Sequence, residues 1–128
     1  MQINTDAMTS LVEAWEAREG PAVLASVASD GTPNAIYVGE VQLRPDAGFV
    51  VADNYFDKTR KNIKEGSLGA LLFITREGKA YQAKGALEYH TEGTVFDEMR
   101  RWHDPKHPGV AATVLEIEEL YSGAEKLA

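Results

Sequence analysis

Apolar residues recur at Met8, Leu11, Val12 and Trp15, spaced i, i+3, i+4 and i+7, which predicts a helix with one buried stripe. Thr5 or Asp6 caps its start, and Gly20-Pro21 ends it. The period then changes. Residues 22–28 form a short apolar strand before the turn Ser29-Asp30-Gly31-Thr32-Pro33. Residues 34–43 read as the next strand, with Gly39 marking a bulge or a close backbone approach. Arg44-Pro45-Asp46-Ala47-Gly48 turns the chain into residues 49–52, an apolar run without alternation and therefore a buried strand. Tight turns between successive strands predict an antiparallel meander, since a parallel pair needs a long crossover. A Rossmann-type nucleotide site is disfavoured for that reason.

A short basic helix over residues 56–65 follows, closed by Gly66 at a C′ position. Residues 69–75 are nearly all apolar, as in a strand buried on both faces or in a barrel wall. Arg76-Glu77-Gly78-Lys79 makes a hairpin loop, and residues 80–89 return. Thr94 and Asp97 stand in capping-box spacing before a helix whose apolar face is Val95, Phe96, Met99 and Trp102. Residues 103–109 contain two prolines and form a loop, and residues 110–118 make the closing strand. Six strands, three short helices and no repeats predict a mostly β, α+β chain. Its strands form a small antiparallel barrel with peripheral helices, because closure removes exposed sheet edges.

Composition narrows the function classes. The 128 residues suffice for one domain with a real core, spanning 1–128. Cysteine is absent, so disulfides, thiolate catalysis and cysteine-ligated metals are excluded. Thirteen basic against 20 acidic residues leave a net charge of −7, which argues against a nucleic-acid partner, since that needs a basic face. No apolar run approaches the ~20 residues of a membrane span, and the polar N-terminus lacks a signal pattern. A cytoplasmic location is the expectation.

The chemistry concentrates where the buried strand of residues 49–52 meets the basic helix. Asp53, Asn54 and Tyr55 form a polar loop, and Asp57, Lys58 and Thr59 open the helix. Free amides, a hydroxyl and a lysine in one small volume suit a phosphate. His103 and His107 stand four apart, but Pro105 and Pro108 rule out the helix that would align them. No third ligand is evident except Asp104 or His90, so the reading is against a metal site.

With Asn54, Lys58, Thr59 and Ile63 at matching positions and the strand Leu68-Gly69-Ala70-Leu71-Leu72-Phe73 behind them, this segment resembles the pyridoxamine 5'-phosphate oxidase-like, FMN-binding split-barrel family. The likeness extends more loosely over residues 20–89, and the Lys-Thr pair is closer to the small FMN-binding members than to the biosynthetic oxidases. The resemblance implies a six-stranded antiparallel split β-barrel, FMN as cofactor, and a homodimer with the flavin at the interface. It also implies a role in oxidoreduction, with NAD(P)H or a redox partner. Lys58 is then the phosphate counter-ion and Thr59 the hydroxyl donor. The flavin ring falls between Ala35, Ile36, Tyr37 and Val38 on one strand and Val51, Ala52, Asp53 and Asn54 on the other, with Asn54 as amide partner. Asp57 departs from the family pattern, where this position is usually not acidic. The expectation is that it caps the helix and turns away from the phosphate. The C-terminal arginine-histidine substrate motif of the biosynthetic oxidases has no counterpart, which argues against oxidation of pyridoxamine phosphate. A non-enzymatic flavin carrier is the alternative, and a barrel that has lost flavin is a third possibility. Related barrels also bind a deazaflavin or haem.

Overall fold

The computed structural model describes residues 2–128. Its elements are α1 (Thr5–Glu16), β1 (Ala22–Val27), β2 (Pro33–Val38), β3 (Val41–Arg44), β4 (Gly48–Asp53) and α2 (Lys58–Lys64). They continue with β5 (Leu68–Ile74), β6 (Ala80–His90), α3 (Thr94–Trp102), β7 (Ala111–Leu115), β8 (Glu119–Ser122) and β9 (Glu125–Lys126). All pairings are antiparallel.

Hydrogen-bonded neighbours run β2-β1-β5-β6-β7-β4-β3. The two outermost members are consecutive in the chain, joined through Gly39 and Glu40, so a single bent strand closes the barrel. Its first half pairs with β1 and its second with β4. β7 and β8 are likewise two halves of one strand. Both follow β6, and the amides of Glu116 and Glu118 bond Ala86 and Lys84 across the kink between them. Six barrel strands are thus broken into eight segments, with β9 added at the tail. This is the split β-barrel expected from the sequence, with more segments than the pattern resolves. Gly85 sits at the crossing, where a Cβ would stand 1.7 Å from the Glu116 carbonyl oxygen, so no other residue fits.

The core explains the strand patterns. Leu11, Leu24, Phe49, Leu71, Leu115, Ile117 and Leu120 are almost fully buried inside the barrel. Trp15 of α1 stacks edge-on against Phe49 and Phe73 at 4.9 and 5.0 Å, as aromatic quadrupoles favour. β4 and β7 are buried on both faces because α3 covers their outer side. Met99, wholly buried, packs on Val50, Ala52, Ala112 and Val114, a side chain whose burial is worth about 1.5–3 kcal/mol. β5 takes the second of its two expected settings, the barrel wall. It alternates, and Leu68, Leu72 and Ile74 face outward because, among the described residues, no helix covers that side.

Two caps also differ. Asn4, not Thr5 or Asp6, caps α1, its Oδ1 accepting from the Ala7 amide at 2.9 Å. Gly93 precedes α3, and Thr94 is already helical, so the Thr94–Asp97 box is not formed. Among the described residues no helix is long and apolar enough to cross a membrane.

Candidate functional site

A cleft of about 390 Å³ opens between β2 and the segment that links β4 to α2. β2 lines it from Asn34 to Val38, and the bend at Gly39 and Glu40 continues the lining. The volume falls in the range of small-molecule sites.

One end of the cleft is polar. Thr59, only 1% exposed, is held by Asn34, whose Nδ2 donates to Thr59 Oγ1 at 2.9 Å. That bond uses an acceptor site of the hydroxyl and not its proton. Asn62 anchors the same helix by donating to Ser26 Oγ at 3.0 Å. Lys58 and Asp57 line the mouth, with Lys58 Nζ 3.4 Å from Asp57 Oδ2 and both side chains largely exposed. Asp57 corrects the sequence expectation. It occupies the N-cap position, but its φ of −130° and ψ of −86° turn the carboxylate off the first-turn amides. It makes no capping bond and pairs with Lys58 instead.

The other end is built around Glu40, which the sequence reading did not single out. Its Oε1 accepts from Asn54 Nδ2 at 2.7 Å and lies 2.8 Å from His107 Nδ1, and its Oε2 accepts from the Asp104 amide. Burial works against this carboxylate, but the Asp104 amide, His107 and Asn54 together outweigh it and hold its pKa below the usual range. Asn54 Oδ1 accepts from the Gly109 amide at 2.9 Å, so Asn54 ties the 103–109 loop to the cleft wall. His103, buried, sets both ring nitrogens against carbonyl oxygens, those of Arg100 and His107. The signal for Glu40 was the Gly39-Glu40 break in the strand pattern.

Of the residues expected here, Ile36, Tyr37, Val38, Ala52, Asn54, Asp57, Lys58 and Thr59 come together along the cleft. Ala35, Val51 and Asp53 do not present side chains to it. Ala35 faces outward, paired with Ala25 on the barrel exterior. Val51 points into the barrel core.

Asp53 is wholly buried beneath the cleft. Its Oδ1 accepts from the Phe56 amide at 2.9 Å and from Arg60 Nη2 at 3.1 Å. Its Oδ2 accepts from Arg60 Nε at 2.8 Å and the Tyr89 hydroxyl at 2.5 Å. Burial, reinforced by the Asp53 carboxylate, pushes the Tyr89 phenol up to about 12. Hydrogen bonding to Asp53 raises the Arg60 guanidinium further above its ordinary value. Asp53 therefore fixes the cleft floor from below.

The split barrel thus carries a cleft with Thr59 and Lys58 at one end and Glu40 and Asn54 at the other. The sequence model of the pyridoxamine 5'-phosphate oxidase family matches residues 8–122, and the chain belongs to that family. It is 33% identical over 104 residues to the uncharacterized protein MJ0282 of Methanocaldococcus jannaschii, covering 77% of this chain and 70% of that protein. HupZ of Group A Streptococcus has a similar structure, with a TM-score of 0.75 at 24% identity over 94% of each chain. An FMN-binding protein from Syntrophomonas wolfei subsp. wolfei gives a TM-score of 0.76 at 18% identity, covering 94% of this chain and 88% of that one. At these identities the structural likenesses establish the fold.

Proposed function

We propose that the cleft binds FMN and that the protein takes part in flavin-dependent oxidoreduction. The observation that carries this reading is the pairing of a buried hydroxyl, that of Thr59, with a lysine, Lys58, at one end of a ligand-sized cleft. Its walls further along are apolar, formed by Ile36, Val38 and Ala52. Such a cleft suits a phosphate at one end and a planar ring at the other. Family membership and the FMN-binding protein of S. wolfei support the same ligand. Bound FMN supplies the electron chemistry, while the chain supplies binding, orientation and electrostatics. Thr59 and Lys58 hold the phosphate. Asn54 and Glu40, locked together, form the rigid wall at the ring end.

A second copy of the chain is the proposed partner. Tyr37, Val23 and Leu72 stand side by side across β2, β1 and β5, as do Ala35, Ala25 and Ala70. Tyr37 is 78% exposed and Leu72 42%. Tyr37 also lines the cleft, so a copy seated on this apolar face would roof the flavin. Sedimentation of the purified protein tests this, with a dimer expected in wild type and a monomer in Leu72→Glu.

The visible absorption spectrum after loading with FMN and removing the excess tests the ligand. A flavin spectrum is expected, with less flavin retained by Thr59→Val. A colourless protein that takes up no FMN overturns the proposal and leaves deazaflavin, haem or no cofactor. Acidic surface charge also suits docking to a basic redox partner, the reading of a non-enzymatic electron carrier. Turnover of NAD(P)H by the loaded protein separates enzyme from carrier.

A further inference from the structure

The cleft carries less positive charge than a phosphate dianion asks for. Among the described residues its formal charges are Glu40, Asp57 and Lys58, two carboxylates against one ammonium. Lys58 is already engaged, with Nζ 3.4 Å from Asp57 Oδ2. Arg60, the next cation along the chain, is held away below the cleft by both oxygens of Asp53. Asp57 has no structural duty that would require a carboxylate, since its side chain caps nothing. A phosphate arriving at this end must therefore compete with Asp57 for the one lysine. A flavin ring meets no such conflict against Ile36, Val38 and Ala52.

We infer that Asp57 weakens the phosphate end of the cleft: paired with Lys58, it leaves flavin held chiefly through the ring. FMN is then an exchangeable ligand, separated only weakly from unphosphorylated riboflavin. The inference rests on the flavin reading above and concerns which flavins that same cleft accepts. Both side chains are mostly exposed, so their effect on a phosphate is screened by water and salt. Removing the carboxylate changes affinity by the modest factor typical of exposed charge pairs, roughly two- to fivefold.

The test is equilibrium titration of the whole protein with FMN and with riboflavin, followed by flavin fluorescence, at low and high ionic strength. Wild type, Asp57→Asn and Asp57→Ser are compared, with equal thermal midpoints identifying folded variants. Wild-type dissociation constants for the two flavins are expected within about tenfold, less than one full hydrogen bond to a charged group supplies. Both variants are expected to tighten FMN about two- to fivefold at low salt, leave riboflavin unchanged, and lose the gain at high salt. FMN affinity that is unaltered, or tightened equally with riboflavin, overturns the inference while the flavin reading stands. A wild-type preference for FMN beyond about a hundredfold, more than a compensated lysine supplies, overturns it as well. Failure of every form to bind either flavin overturns the flavin reading and this inference with it.

Discussion

Asp53→Asn tests whether the cleft floor is held by a buried charge or merely by shape. In the native protein the two carboxylate oxygens accept four hydrogen bonds, from the Phe56 amide, two nitrogens of Arg60 and the Tyr89 hydroxyl. Asparagine keeps the volume and one acceptor, which can still take the Phe56 amide. Its NH₂ faces Arg60 Nε–H donor to donor, and the charge that balances Arg60 is gone. Breaking a buried ion pair costs about 3–5 kcal/mol when both partners lose water. The Arg60 side chain is 35% exposed and recovers hydration, so the expected loss is lower, about 2–3 kcal/mol. At about 4 °C per kcal/mol for a chain of this size, the melting point falls by about 8–12 °C. Tyr89→Phe removes one hydrogen bond of the same cluster and is expected to cost about 1 kcal/mol. Equilibrium urea unfolding, followed by tryptophan fluorescence, measures both. A loss below about 0.5 kcal/mol for Asp53→Asn, the scale of an ordinary surface substitution, would refute the argument that this carboxylate anchors the floor.

Other consequences are equally specific. Glu40 has a folded pKa below its ordinary value of 4.5, so the stability it contributes is full above that value and lost as pH falls through the lower one. Denaturation of wild type and Glu40→Gln across pH should show an advantage for wild type near neutrality that shrinks in acid; a pH-independent gap contradicts this. Thr113 is wholly buried and its Oγ1 has no hydrogen-bond partner. Thr113→Val should therefore raise stability by about 1 kcal/mol in urea unfolding, whereas a loss would mean the hydroxyl is satisfied. Gly85→Ala drives a methyl into the Glu116 carbonyl and should lower the melting point by 10 °C or more, roughly 3 kcal/mol of overpacking. An unchanged melting point would refute the tight crossing.

Much of the architecture was legible because burial leaves a periodic trace. The stripe ending at Trp15 packs as expected. The unbroken apolar run of β4 reflects the covering of both its faces, by the barrel core and by α3. The bend at Gly39-Glu40 was visible only as a glycine, because which strand each half pairs with is a long-range fact. The continuation into β8 was hidden by Glu116, Glu118 and Glu119. Their charge reads as a solvated end, yet the backbone there still bonds β6. Around the cleft, local sequence brought together the 54–59 segment but misjudged individual side chains. Asp53 lies in an apolar-to-polar transition that looks like a loop start, and only the distant Tyr89 and Arg60 reveal why it is buried. Glu40 gains its role from His107 and Asp104, more than sixty residues away.

The most direct test of the account is a structure of the protein crystallised with FMN. The phosphate is predicted within hydrogen-bonding distance of Thr59 Oγ1, at the Lys58 end of the cleft, with the ring lying along Ile36, Val38 and Ala52 toward Glu40 and Asn54. FMN bound outside this cleft, or bound in it with the phosphate at the Glu40 end, would contradict the account.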